Sequence, residues 1–318
     1  MKYLILILTM AFLTSNASAV TVPFMGSDIR FVLSAEAGPL LGSKDEFIRD
    51  QGSFDQALRM QSSEELDEAA YMDFLSSQAL DWKSPQIRRV TEAIGQAEAR
   101  LSEWGAQFDM PDEILLLLTS GKEEPGAIAY TRGEMIVFSA PAVSEDMESG
   151  LQRLFLHELF HVLSRHNPEI RKALYATAGF ESCQAIDFPE KLLQRKLTNP
   201  DAHHFDAYIS LEIEGESRNL MPLTLAKSAP WTAGDIFANL ELAFLEVKVV
   251  EGACTVKGKP VLHPISSAPD YVARTGGNTG YIIHPEEIIA DNFAMAMMGE
   301  SEVPNPEVLS QIKALFIP

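Results

Sequence analysis

The stretch Leu156-His157-Glu158-Leu159-Phe160-His161, an H-E-x-x-H pattern inside an apolar run, constrains this chain more than any other. Side chains four residues apart lie one turn above another on a helix, so the two imidazoles converge on a single point. Leu154, Phe155, Leu156, Leu159, Phe160, Val162 and Leu163 make such a helix apolar on most sides and therefore buried. Polar groups inside it need partners, because an unpaired imidazole or carboxylate is costly there. One cation would satisfy both histidines: zinc accepts nitrogen ligands at about 2 Å in a tetrahedral arrangement. Glu158, one step round the helix, can reach a water on the metal and take its proton. Two core histidines held only by hydrogen bonds would leave that spacing around a Glu without a reason. Ser144-Glu145-Asp146 is expected to start the helix and Asn167-Pro168 to end it. At about 100° per residue His166 falls on the far side from His157, as a charge on the helix C-terminus.

Met1-Lys2, the apolar run from Tyr3 to Leu13 and the triplet Ala17-Ser18-Ala19 read as a secretory signal peptide over residues 1–19, cleaved near Ala19. That run is too short to span a bilayer, and no later segment is long enough. The expectation is an exported protein, periplasmic or extracellular, with no membrane span once the signal is removed. A formal net charge of −20 argues against nucleic acid or an anionic membrane surface as partner. The two cysteines, Cys183 and Cys254, would meet an oxidising compartment after export, and a disulfide between them is expected. Two buried free thiols are the alternative.

Residues 20–110 read as a mostly helical region, with helices around Phe54–Met60, around Glu64–Leu80 behind a Ser63-Glu64-Glu65 start, and from Pro85 onward. The last carries Val90, Ile94, Ala97 and Leu101 at helical spacing. Residues 111–318 read as an α+β domain around the H-E-x-x-H helix, with an insert at about 178–280. Its first strand is the apolar Glu113–Leu118 run. A hairpin follows, with Gly126–Tyr130 and Met135–Phe138 flanking Thr131-Arg132-Gly133-Glu134. Within the insert a helix is expected over Glu190–Lys196 and strands over Asp206–Ile213 and Leu240–Val250. His203-His204, Glu212, Glu214 and Glu216 read as solvated positions. His263, Tyr271 and Arg274 are candidates to face a cleft.

Near the C-terminus His284-Pro285-Glu286-Glu287 looks like a helix start, with Pro at the first position and acids in the first turn. Ile288, Ile289, Ala290, Phe293, Ala294 and Met295 then make a helix apolar nearly all round, hence buried. Asp291 inside it needs a partner. Glu287 precedes Asp291 by one turn on the same face, while Glu286 reads only as an acid favoured by the helix dipole.

An H-E-x-x-H helix followed by a helix bearing Glu-x-x-x-Asp resembles the gluzincin metallopeptidases. Glu287-Ile288-Ile289-Ala290-Asp291 is similar to the Glu-x-x-Ala-Asp form of their prenyl-protein protease branch. The resemblance implies a zincin-like metallopeptidase domain: a small mixed sheet with an edge hairpin, the H-E-x-x-H helix and a Glu-bearing helix. It implies Zn2+ held by His157, His161 and Glu287, with Glu158 as general base and Asp291 bonded to the His157 imidazole. A peptide or protein would be the substrate, received by strand addition along the hairpin. Tyr281, and behind it His284, are candidates for the oxyanion donor. The competing reading is an exported metal-binding or protein-interaction module that keeps the fold without turnover. Glu158 weighs against it, because structural zinc closes its fourth position with protein ligands.

Overall fold

The computed structural model describes residues 20–62, 67–227, 231 and 236–317. The expected signal peptide and the Ser63-Glu64-Glu65 helix start lie outside these residues. Strands β1 (Val20–Phe24) and β2 (Ser27–Phe31) form an antiparallel hairpin around Met25-Gly26. Both turn residues have positive φ, 50° and 90°, as a two-residue hairpin of matching twist requires. Short helices α1 (Ser34–Leu41), α2 (Glu46–Arg49), α3 (Ser53–Arg59) and α4 (Glu68–Ser76) follow, then strand β3 (Ala79–Leu80) and the long α5 (Ser84–Trp104). Strands β4 (Glu113–Thr119), β5 (Ala129–Arg132) and β6 (Met135–Ser139) complete a mixed sheet in the order β1-β2-β4-β6-β5, with β3 paired to the far end of β4.

Strand β4 lies parallel to both β2 and β6. A strand in that position is covered on both faces, which is why it reads as unbroken leucine. Leu116 and Leu118 join the core beneath α5, and Leu117 joins Val32, Ala37 and Leu41 on the opposite face. Residues 20–110 are therefore not a separate helical region. Their first two strands belong to the sheet, and Val90, Ile94, Ala97 and Leu101 of α5 enter the core that holds the H-E-x-x-H helix.

Between β6 and that helix the chain makes two 3-10 turns, Ala140–Val143 and Glu145–Met147. Helix α6 thus runs Glu148–His166, starting later than the Ser144 signal suggested, and α7 (Pro168–Thr177) begins on Pro168. His166 points away from His157, with its Nε2 3.3 Å from Glu134.

The expected insert forms a second sheet. Its elements are β7 (Phe180–Ser182), α8 (Glu190–Leu193), β8 (Ala207–Ile213), β9 (Glu216–Ala226), β10 (Leu240–Glu246), β11 (Lys248–Val250), β12 (Ala253–Thr255), β13 (Leu262–Pro264) and α9 (Tyr271–Arg274). Five strands are antiparallel in the order β13-β10-β9-β8-β7, and β11 pairs β12 alone. Strand β9 has no counterpart in the sequence reading, and α8 ends at Leu193 instead of Lys196 because Lys196 bridges to Leu225 of β9. A disulfide joins Cys183 to Cys254, tying the start of the insert to β12. Helix α10 (Pro285–Met298) then returns to pack on α6, and α11 (Pro306–Leu315) closes the core. No helix among the described residues is long and apolar enough to cross a membrane.

Candidate metal centre

Helices α6 and α10 are both apolar on nearly every side, so where they meet, each polar side chain must find a partner. His157 and His161 from α6 and Glu287 from α10 present ligand atoms that all lie within 4.8 Å of one another. Glu287 Oε2 stands 3.1 Å from His157 Nε2 and 3.7 Å from His161 Nε2. Its other oxygen accepts from the side-chain amide of Asn199.

The backs of the two imidazoles are held as well. His157 Nδ1 lies 3.1 Å from Asp291 Oδ1, as the resemblance implied, and Thr279 donates its hydroxyl to the other oxygen of Asp291. His161 Nδ1 lies 3.1 Å from Glu286 Oε1. Glu286 also accepts from the hydroxyls of Ser164 and Tyr175. This corrects the reading of Glu286 as a mere dipole acid: it is 3% exposed and supports the second histidine as Asp291 supports the first. A carboxylate behind Nδ1 fixes the proton there and turns the Nε2 lone pair forward.

His161 Nε2 is buried and has no hydrogen-bond partner. A buried polar atom without a partner calls for an explanation, and an ion is one of the few available. A cation shared by His157, His161 and Glu287 would supply it, and two imidazoles with one carboxylate are a donor set that such an ion accepts. The electrostatics agree. Burial works against ionisation of Glu286, yet hydrogen bonds from His161, Ser164 and Tyr175 hold its carboxyl at about 2. Glu287 and Asp291 are also held below the usual carboxylate range, against burial, by the neighbouring histidines. Burial disfavours a charge on His157, but Asp291 and Glu287 outweigh it and draw a proton onto the ring well above the ordinary range. Surplus negative charge of this kind is what a cation neutralises.

Glu158 is 2% exposed, and its Oε2 accepts from Thr131 Oγ1 at 2.8 Å. Burial raises its carboxyl above the ordinary value, opposed by His157 and His161. It lines a cleft of about 570 Å³ together with Ile128, Ala129, Leu154, His157 and Tyr281. Strand β5 forms one wall and is the edge of its sheet, as the hairpin suggested. Thr131 donates its main-chain N–H to Asp201 Oδ1 at 2.5 Å, and Arg165 donates to Thr131 O at 3.3 Å. In an antiparallel ladder alternate residues face the same way, so Ala129 turns its N–H and C=O to that side too. Asp201 went unrecognised in the sequence. Its carboxylate forms a second group with Glu158 and His161, ligand atoms again within 4.8 Å. Burial, then the charges of Glu158 and Glu287, push its carboxyl well up.

Other candidates fall differently. Tyr281 is 41% exposed at the cleft mouth, its ring stacked on His157 with centroids 6.3 Å apart. Desolvation, then the negative charge of Glu287, push its hydroxyl well above the ordinary range. His284 does not face the cleft. It is buried as the N-cap of α10, accepting from Glu286 N on Nδ1 while Nε2 lies 3.2 Å from His204 O, so both nitrogens are occupied. Tyr271 is buried and donates to Ile282 O, and His263 pairs with Glu246, so neither reaches the cleft; Arg274 closes α9. Glu212, Glu214 and Glu216 are exposed, as expected. His203 is not simply solvated: its Nδ1 lies 2.8 Å from Asp50 Oδ2.

A family model described as the eCIS core domain matches residues 119–169, about a sixth of the chain. The match spans the end of β4, the β5–β6 hairpin and all of α6, and stops short of α10. No curated protein and no solved structure matches the chain.

Proposed function

We propose that this chain is a zinc-dependent peptidase with a zincin-like catalytic domain. The observation that carries the reading is the buried, unpartnered Nε2 of His161, turned toward the carboxylate of Glu287 with His157 alongside. His157, His161 and Glu287 would hold zinc, and Asp291 and Glu286 would orient the two rings. When bound, zinc supplies a Lewis acid that acidifies water and polarises a carbonyl. Glu158 takes the proton from the attacking water and returns it to the leaving amine, a task suited to a carboxyl raised by burial. Tyr281, protonated at the mouth of the cleft, is the candidate donor to the oxyanion. The edge of β5, with Ala129 turned outward, would align an extended peptide by main-chain hydrogen bonds. The disulfide and the expected signal peptide suit an exported enzyme.

The non-catalytic reading draws on one observation, Asp201 standing beside Glu158 and His161 where it could close the site. A single experiment separates the two. Metal content of the purified chain is measured beside cleavage of an unstructured protein, for wild type and Glu158→Gln. The peptidase reading expects bound zinc in both and cleavage only in the wild type. Zinc without cleavage in either sample leaves the binding module.

A further inference from the structure

We infer that Glu46, His203 and His204 form a second, peripheral site for a divalent cation of the zinc class. The three side chains present ligand atoms within 4.8 Å of one another, outside the helix pair and on two segments far apart in sequence. His203 and His204 come from the loop before β8, and Glu46 opens α2. The rings lie with centroids 3.9 Å apart, and His204 Nε2 is 3.5 Å from Glu46 Oε2. His203 Nδ1 is engaged by Asp50 Oδ2 at 2.8 Å, which leaves its Nε2 as the nitrogen for a metal. That is the arrangement seen at His157 and His161, where a carboxylate behind the ring fixes the tautomer a metal needs.

Two imidazoles and one carboxylate favour zinc-like ions over calcium or magnesium, which prefer oxygen donors. Of the guanidinium groups lining the same pocket, Arg132 is paired with Asp45 and Arg171 with Asp206, while Arg165 is turned onto main-chain carbonyls, among them Pro200 O and Asp201 O. An ion at this position would pin α2 to the segment that delivers Asn199 to Glu287 and Asp201 to Thr131. Its role is therefore that of a clamp on the cleft wall, and the inference stands whether or not the cleft cleaves peptides.

Zinc titration of the full chain against a chromogenic chelator tests it. In the His157→Ala, His161→Ala variant the helix pair can no longer hold metal, and one zinc per chain is expected to remain. Adding His203→Ala and His204→Ala should remove it. Should the first variant fold poorly by circular dichroism, Glu46→Gln at its exposed position in the otherwise native chain gives the same answer, lowering the count from two zinc ions to one. A native chain or helix-pair variant that binds no zinc outside the helix pair overturns the proposal. So does an ion that survives removal of His203 and His204. Loss of the peripheral ion alone, with the other retained, supports it independently of the peptidase reading.

Discussion

The two histidine pairs are built on different foundations. His157 and His161 stand one turn apart on a helix of 19 residues, and each has its Nδ1 on a carboxylate supplied by α10. His203 and His204 are neighbours in a loop, only His203 is backed by a carboxylate, and Glu46 is largely exposed. In the first pair the fold pays the cost of orientation before any ion arrives. In the second, binding must fix the exposed side chains of His204 and Glu46, and ordering side chains costs affinity. The difference teaches that spacing alone does not make a strong site. The groups behind the ligands decide how much of the binding energy survives.

Breaking the inner pair should have the largest effect. Glu287→Gln is expected to strip the helix pair of metal and abolish cleavage while the peripheral ion stays, as metal analysis before and after mild chelation would report. An inner site still fully loaded in that variant removes Glu287 from the ligand set. Glu158→Gln should come next, with turnover of an unstructured substrate lower by about 10²–10⁴-fold and the zinc content unchanged. A parallel fall in zinc would make Glu158 a ligand instead of a base.

Smaller effects sharpen the contrast between backed and unbacked rings. Glu286→Gln and Asp291→Asn should each weaken the inner site by about 10–100-fold in chelator competition, and by similar amounts. Equality matters, because a dipole-only role for Glu286 predicts almost no change in metal affinity. Asp50→Asn should weaken only the outer site, by about tenfold, leaving cleavage intact. Least of all, removing the Cys183–Cys254 link should lower stability by about 2–4 kcal/mol in denaturant melts without altering either metal count.

The inner site was legible because it rests on helical periodicity. His157, His161, Glu287 and Asp291 sit at spacings of four, inside runs apolar enough to declare themselves buried. Strand β4 and the β5–β6 hairpin were legible from apolar runs too short for a helix, although not the parallel pairing of β4. Glu286 was hidden because two adjacent acids at a helix start look alike in sequence, and only the packing of α10 on α6 sends Glu287 to the two Nε2 atoms and Glu286 behind His161. His284 misled for a related reason: a cap residue and a cleft residue can precede the same helix. The hairpins β1–β2 and β8–β9 were lost because Met25 and Glu214 occupy positive-φ turn positions usually given to Asn or Asp. Asp201 and His203 depend on contacts across 70 and 153 residues, which no local pattern carries.

Thr131 has a consequence for timing. Its hydroxyl holds Glu158 while its main-chain N–H is held by Asp201. On the proposed reading, an extended peptide reaching that far along β5 cannot simply dock. It must exchange places with Asp201, and the exchange frees the wall of the cleft formed by Asn199 and Pro200. Turnover of long substrates would then include a first-order step that does not quicken as substrate concentration rises. A short peptide that engages Ala129 alone would bypass that step.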